Sequence, residues 1–366
     1  MKKKVILLLG KLPPPYMGPS IATQIILKSS LNNSFNLVHL DTKAYDDLNE
    51  LGKWSFKKLK RNIGIYFRMR KLIKKNQPAI VWIPISQTTT GFLKDAVFIW
   101  IAALSGSNVV LHLRGSNFKK WIDNSFSVTK WFVKKTMSKC SGIIVLGNNL
   151  RYIFRPYFKE ENIYVVPNGA DYVIPPSQKN IKKVNLIYLA NLQASKGIED
   201  VLSAVAILHD EFKEHYHLDV IGKWRNEETK QNCLKIIEDN GLNVTVHPPE
   251  VSHDKLQYLS NSDIFVFPPR EPEGHPWVIV EALAAGLPVI STNQGAIVES
   301  VIHGKNGFIV EPANPSSIAE SVAELIKNKE LRQRMGEESR IHYLASFTEE
   351  KMVSRLVITF EHVLKD

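Results

Sequence analysis

The chain of 366 residues has only two cysteines, Cys140 and Cys233, far apart and outside any CxxC or Cys/His ligand spacing. That excludes a disulfide framework and a structural zinc site, and it makes a reducing cytoplasm the expected setting. Long apolar runs are equally scarce. Met1-Lys2-Lys3-Lys4 before Val5 to Leu9 imitates a secretory leader, but the run breaks at Gly10 with no small-residue cleavage site behind it, so it reads as a buried first strand. Phe92 to Leu104 is interrupted by Lys94 and Asp95 and is too short to cross a bilayer. No G-x-G-x-x-G or P-loop follows any strand, which argues against a nicotinamide dehydrogenase or a nucleotide kinase. Neither a helix-turn-helix nor a zinc-finger nor an RNA-binding aromatic signature is present, so no nucleic-acid partner is expected.

Acidic residues are missing from one half in particular. Residues 1–170 hold 27 Lys+Arg against 8 Asp+Glu, which leaves 20 against 28 for residues 171–366, so the net charge of +11 is the sum of a basic half and an acidic half. Lys53 to Lys75 contains ten basic residues and no acidic one, interleaved with Trp54, Phe56, Ile63, Tyr66, Phe67 and Leu72 at roughly helical spacing. Phe118 to Lys139 repeats the pattern, with Trp121, Phe126, Trp131 and Phe132 beside six lysines. Both segments, 53–75 and 118–139, suit an anionic membrane surface or a phosphorylated lipid. They equally suit amphipathic helices whose aromatics pack on a sheet while the lysines are solvated.

What is abundant is short continuous apolar runs: Val5 to Leu9, Leu37 to Leu40, Ile80 to Ile85, Val109 to Leu113, Ile143 to Leu146 and Tyr164 to Val166. Such runs are strands buried on both faces, and helical patterns between them, as at Ile21 to Leu31, predict a doubly wound parallel sheet. A second series, Val184 to Leu189, Leu218 to Ile221, Val244 to Val246, Ile264 to Phe267, Pro288 to Ser291 and Phe308 to Val310, predicts another. The turn-forming stretch from Pro167 to Gln178, where the charge changes sign, is the expected linker. A final amphipathic helix, residues 349–366, follows Thr348 as its cap.

The most informative stretch runs from Pro268 to Ile290 and reads as strand, loop, helix, strand. Pro276 suits the first helical position, which points the amides of the preceding Glu273-Gly274-His275 loop outward toward an anion or sugar hydroxyls. Glu281 lies among Trp277, Val278, Ile279, Val280, Ala282 and Leu283, where an unpaired carboxylate is costly; either backbone amides or a nearby lysine satisfy it, or a diol such as a ribose does. Lys196 stands beside Gly197 at a helix entrance, a setting that suits a phosphate. His112 and Arg114 end a strand at its carboxyl edge, where open α/β sheets bind ligands.

With Gly286-Leu287-Pro288-Val289-Ile290 behind it, the pair Glu273 and Glu281 resembles the paired glutamates of retaining GT-B glycosyltransferases of family four, the glycosyl transferases group 1. Leu189 to Ile198 resembles that family's strand and loop opening the second domain. The resemblance covers most of the chain. It implies an α/β fold of two doubly wound, Rossmann-like domains facing across a cleft: an acceptor-side domain of residues 1–170, with helix 349–366 packing back on it, and a donor-binding domain of residues 175–345. It further implies that Lys196 holds the donor diphosphate, Glu281 the ribose, and Glu273 with the Gly274-His275-Pro276 backbone the sugar hydroxyls. Where the family usually has arginine this chain has Asn191, so either Lys196 suffices or Arg270 or Lys223 substitutes. Gly18, within Pro13-Pro14-Pro15-Tyr16-Met17-Gly18-Pro19, corresponds to the glycine loop of the first domain. Arg114-Gly115 stands where the family often has a His-Gly pair near the donor sugar, so Arg114 takes that role or His112 supplies it. Gly295, Asn306 and Gly307 match late loops and read as structural.

The expected activity is retaining transfer of a sugar from a nucleoside diphosphate sugar to a saccharide or lipid-linked saccharide, in glycan or polysaccharide biosynthesis. Neither a cofactor nor a metal is expected, since cationic side chains and helix amino termini stabilise the leaving diphosphate and no Asp-x-Asp motif is present. The expected place is the cytoplasm, at the inner face of the cell membrane. A non-catalytic membrane-docking scaffold and a GT-B sugar-nucleotide epimerase or phosphorylase are the competing readings.

Overall fold

The computed structural model describes residues 3–14, 16–43, 56–178, 183–248 and 254–365, with only the backbone of 56–59. The short apolar runs form strands inside helix-covered parallel sheets, where a central run such as Ile80–Ile85 is buried on both faces while the edge runs Asn36–Asp41 and Val244–His247 are mostly half-buried. The first sheet comprises β1 (Val5–Gly10), β2 (Asn36–Asp41), β3 (Ile80–Ile85), β4 (Asn108–Leu113), β5 (Gly142–Val145) and β6 (Ile163–Val165), in the order β2-β1-β3-β4-β5-β6. The second comprises β7 (Val184–Leu189), β8 (Tyr216–Ile221), β9 (Val244–His247), β10 (Ile264–Phe267), β11 (Val289–Thr292) and β12 (Gly307–Val310), in the order β12-β11-β10-β7-β8-β9. Every pairing in both sheets is parallel.

The helices of the first part are α1 (Gly18–Lys28), α2 (Leu31–Ser34), α3 (Phe56–Asn76), α4 (Thr89–Leu104), α5 (Phe118–Asp123) and α6 (Ser127–Met137). Those of the second are α7 (Ile198–Phe212), α8 (Glu227–Asp239), α9 (Asp254–Ser260), α10 (Trp277–Ala284), α11 (Ile297–Ser300), α12 (Pro315–Lys327) and α13 (Lys329–Ser346), and α14 (Glu349–Val363) ends the chain. The chain divides into two compact units, Met1–Ala170 with Glu349–Asp366, and Asp171–Thr348. The helix α14 joins the first unit by burying Met352, Val353, Leu356 and Phe360 on β1 and β3; Phe360 meets Trp82 edge-on at 5.1 Å and Phe35 at 5.7 Å.

The basic segments resolve differently from their sequence pattern. The part of 53–75 before Phe56 lies outside the described residues. From there α3 buries Ile65, Met69 and Ile73, spaced by four, and turns Ile63 and Phe67 outward among its basic residues. Residues 118–139 are two helices, α5 and α6, rather than one. Phe118 is fully buried, Trp121 packs on Phe92 at 5.6 Å and donates to Thr89, whereas Phe126, Val128 and Trp131 face solvent at 86%, 76% and 63% exposure. Among the described residues no helix is long and apolar enough to cross a membrane.

One electrostatic cluster ties β8 to β9. Asp219 accepts from His247 Nε2 at 2.7 Å and lies 3.5 Å from His217 Nε2, whose other ring nitrogen meets Asn243. The hydrogen bond to Asp219 holds the His217 pKa above its ordinary 6.5 despite partial burial. A proton therefore binds the folded form more tightly than the unfolded one, so this contribution is complete below pH ~6.5 and is lost as the pH rises through the raised value. Urea midpoints are expected to fall as the pH is raised across that window, and His217→Gln is expected to flatten the slope.

Candidate functional site

In an open parallel sheet the chain leaves a crevice where the strand order reverses, at the carboxyl ends of the two strands flanking the reversal. In the second unit those strands are β7 and β10. The loop after β7 closes in a short 3-10 turn at Ala194–Lys196, and Gly197 at φ 78° opens α7. A Cβ on Gly197 would stand 2.0 Å from the carbonyl oxygen of Pro268 at the exit of β10, so only glycine lets the two loops meet. They are then latched: Arg270 N–H donates to the Ser195 carbonyl at 3.0 Å, and the Arg270 guanidinium grips buried Asp200 through Nε and Nη2, both at 2.7 Å. The result is that Lys196 and Glu273, 77 residues apart in sequence, form an ion pair with both side chains mostly shielded from solvent.

The loop carrying Glu273 is held from two further sides. Ala296 N–H donates to the Gly274 carbonyl at 2.8 Å, and Gly295, at φ 58°, comes so close that a Cβ would lie 1.6 Å from the Glu273 carbonyl oxygen. Gly295→Ala combines this collision with a left-handed backbone and is expected to cost more than about 1 kcal/mol, shown by a lowered Tm, and to shift Glu273 as well. The His275 ring is 4% exposed, bonds Ser300 Oγ at 2.6 Å and packs on Phe347, so it anchors the loop from beneath and leaves only its backbone for a ligand. Pro276 caps α10 from the residue before it, rather than occupying the first helical position. Asn306 and Gly307 are structural: the Asn306 side chain bridges the Ser300 carbonyl and the Ile302 amide, and a Cβ on Gly307 would strike Val289.

Glu281 sits in α10 at 2% exposure. Its Oε1 accepts from Lys255 Nζ at 2.6 Å, on α9, and from the Tyr172 hydroxyl at 3.3 Å; its Oε2 is buried without a partner among the described residues. Burial, then the neighbouring carboxylate, drives the Tyr172 pKa far above its ordinary value and keeps that hydroxyl a donor. A lysine and a tyrosine thus share one oxygen, and the other has no protein partner among the described residues. Lys255 and Tyr172 were not singled out in the sequence, where nothing but proximity in the fold connects them to Glu281.

Of the two cations considered as substitutes at Asn191, Arg270 is committed to Asp200, while Lys223 is exposed on the loop after β8, whose carbonyl accepts from Leu192 N–H at 2.9 Å, next to exposed Asn191.

In the first unit, Gly18 is the first residue of α1 rather than a loop residue. His112 is 4% exposed, lies flat on Trp82 with ring centroids 5.6 Å apart, and has no hydrogen-bond partner among the described residues. Burial, then the charge of Arg114, pulls its pKa well below 6.5 and keeps it neutral. Arg114 Nη1 donates to the Pro19 carbonyl and to Thr23 Oγ1, fastening the end of β4 to the first two turns of α1.

Comparison with known proteins bears on the family and the fold. The sequence profile of the family described as Glycosyl transferases group 1 matches residues 173–342. The capsular polysaccharide biosynthesis glycosyltransferase CapM of Staphylococcus aureus is 30% identical over 336 residues, covering 84% of each chain. A glycosyltransferase from Rickettsia africae superposes with a TM-score of 0.80 at 16% identity over the whole of both chains. The Anabaena protein HepE, solved in complex with UDP, does so with 0.74 at 14% identity, over 98% of this chain and all of its own. The fold is GT-B, and the chain belongs to the group 1 glycosyl transferases.

Proposed function

We propose that the protein is a retaining, metal-independent glycosyltransferase that moves a sugar from a nucleoside diphosphate sugar to a saccharide or lipid-linked saccharide in glycan or polysaccharide biosynthesis. The observation that carries this reading is the Lys196–Glu273 pair at the switch point of the second unit, Glu273 standing on the loop that leads into the helix bearing Glu281, whose Oε2 has no partner among the described residues. In this reading Lys196 turns to the diphosphate, Glu281 Oε2 accepts from a ribose hydroxyl, and Glu273 with the Gly274 and His275 backbone holds the sugar hydroxyls. The acceptor oxygen bonds the donor's anomeric carbon on the face from which the phosphate oxygen departs, and the acceptor's proton passes to that departing oxygen. The products are a glycoside of unchanged anomeric configuration and a nucleoside diphosphate.

A thermal-shift panel of UDP, GDP and ADP and their sugars is the direct test, because a ligand that binds only the folded state raises its melting temperature. One base is expected to stand out, with the configuration of the product then read by NMR. A trapped glycosyl-enzyme adduct would overturn the front-face route, and binding without turnover across acceptors would favour the scaffold reading.

The acceptor-side role is assigned to the first unit, and its outward aromatics support attachment to an anionic membrane. Phe126, Val128 and Trp131 stand exposed beside Lys130, Lys134 and Lys135, with Ile63 and Phe67 similarly placed on α3. Each lysine or arginine near such a surface contributes about 1 kcal/mol at low salt. Flotation with phosphatidylglycerol vesicles is therefore expected, weakened by salt and by the double variant Phe126→Ser/Trp131→Ser. Failure to float at low salt, with activity on a soluble acceptor intact, removes the membrane from the reading.

A further inference from the structure

The first sheet has a switch point of its own, since its order reverses at β1, with β2 on one side and β3 on the other. A pocket of ≈ 220 Å³ opens there, bounded by Lys11 after β1, Ser86 and Gln87 after β3, Lys94 and Asp95 of α4, and Arg114 after β4. That volume is below the usual range for a whole small-molecule ligand, about 300–1,000 Å³, and suits one group of a larger molecule.

The charges in it are three cations and one carboxylate. Asp95 is already engaged, by Lys94 Nζ at 3.2 Å and by the Ser86 amide at 2.7 Å. Arg114 uses Nη1 on α1, yet its Nε and Nη2 are buried with no partner among the described residues, and Oε1 of Gln87, which lines the same pocket, is in the same condition. A buried guanidinium edge without acceptors is costly, and Nε with Nη2 is the edge that grips an oxyanion through two parallel hydrogen bonds. Arg270 in the second unit does this with Asp200, at 2.7 Å through each nitrogen. Burial, then the charge of Lys94, lowers the Lys11 pKa to about 8 against the opposing influence of Asp95 and Asp41.

We infer that this pocket is an anion-recognition site in which Arg114 binds two oxygens of a phosphate or diphosphate ester carried by the acceptor, with Lys11 and Lys94 neutralising it. The assignment to an acceptor rests on the glycosyltransferase reading; the anion site itself does not. Gln87 also borders the adjoining groove of ≈ 510 Å³ that contains Lys120, Trp121 and Phe126, so the remainder of a phosphorylated acceptor has a path from the pocket toward the exposed aromatics.

Hydrogen-exchange mass spectrometry on the full chain tests this with inorganic phosphate as the probe. UDP, GDP and ADP are present together at saturation, so that phosphate does not occupy the second unit. Phosphate is expected to slow exchange in residues 10–12, 84–95 and 114–118, with the half-effect concentration rising about tenfold or more in Arg114→Gln and in Lys94→Gln, the cost of one charge-assisted contact. The second variant leaves the Arg114 tether to α1 intact, so a folding defect in the first does not decide the result. Absence of slowing in the wild type, or slowing unchanged in both variants, overturns the inference. Protection by nucleotides is read in residues 190–197 and 268–281, so the donor reading and the anion site fail separately. A parallel arm replaces phosphate with phosphatidylcholine vesicles containing phosphatidic acid: slowing that extends into residues 117–131 identifies a lipid phosphate as the source, and slowing by free phosphate alone identifies a soluble phosphate ester.

Discussion

Glu281→Gln is expected to weaken nucleoside diphosphate binding about a hundredfold, the equivalent of one or two charge-assisted hydrogen bonds. The expectation follows from how the carboxylate is shared. Lys255 and Tyr172 both donate to Oε1, so Oε2 is the oxygen left for a hydroxyl, and an amide in its place presents either a poorer acceptor or an N–H that repels the incoming donor. The same change strips Lys255 of its counter-charge, and that side chain is only 23% exposed, so a stability loss of about 1–3 kcal/mol accompanies it. The two effects separate in the double variant Glu281→Gln/Lys255→Met. Removing both members of a buried pair restores most of the stability, because no uncompensated charge remains, but it returns no acceptor to the site. Isothermal titration with the nucleotide selected by thermal shift, beside urea unfolding of both variants, decides the matter. Recovery of affinity in the double variant would show that Glu281 acts on the nucleotide only by keeping α9 and α10 in place.

The strands were legible because their cause is local. A run such as Ile80 to Ile85, apolar at nearly every position, has few places to go except the inside of a sheet covered on both faces, and its ends were read correctly. Ile264 to Phe267 behaved in the same way. Glu281 was legible as an anomaly for a related reason: a carboxylate in an apolar helix demands a partner wherever the helix lies. The partner was not legible, since Tyr172 is 109 residues away and no pattern in the sequence records a pairing made by the fold. The pairing of Arg270 with Asp200 is equally invisible in the sequence, because a guanidinium's affinity for a phosphate and for a carboxylate look alike until Asp200 is seen beside it. The packing of His275 on Phe347 and of His112 on Trp82 was likewise not legible, since an imidazole carries no sequence signal for the ring it stacks against. In the aromatic and basic stretch 118–139 composition does not tell which aromatics turn inward, whereas the break between α5 and α6 leaves Phe118 buried and Phe126 exposed.

Lys196→Ala is expected to lower kcat about 10²- to 10³-fold, the usual consequence of removing one preorganised donor from charge that develops in a transition state. Its effect on binding is informative in a different way. With Lys196 absent, Glu273 is left as an unopposed carboxylate at the place where the diphosphate must lie, so nucleotide affinity falls further than the loss of one cation explains. Glu273→Ala keeps the cation and is expected to bind the free nucleoside diphosphate as well as the wild type does, or better, while turning over the sugar donor slowly. In the double variant Lys196→Ala/Glu273→Ala the repulsion is gone, so affinity for the diphosphate recovers in part and kcat does not. That non-additivity is what a shared ion pair predicts, since each single variant exposes the charge of the other member. Independent, additive losses in both affinity and kcat would mean that the two side chains do not meet in solution, and the convergence of the loops after β7 and β10 would no longer explain the site.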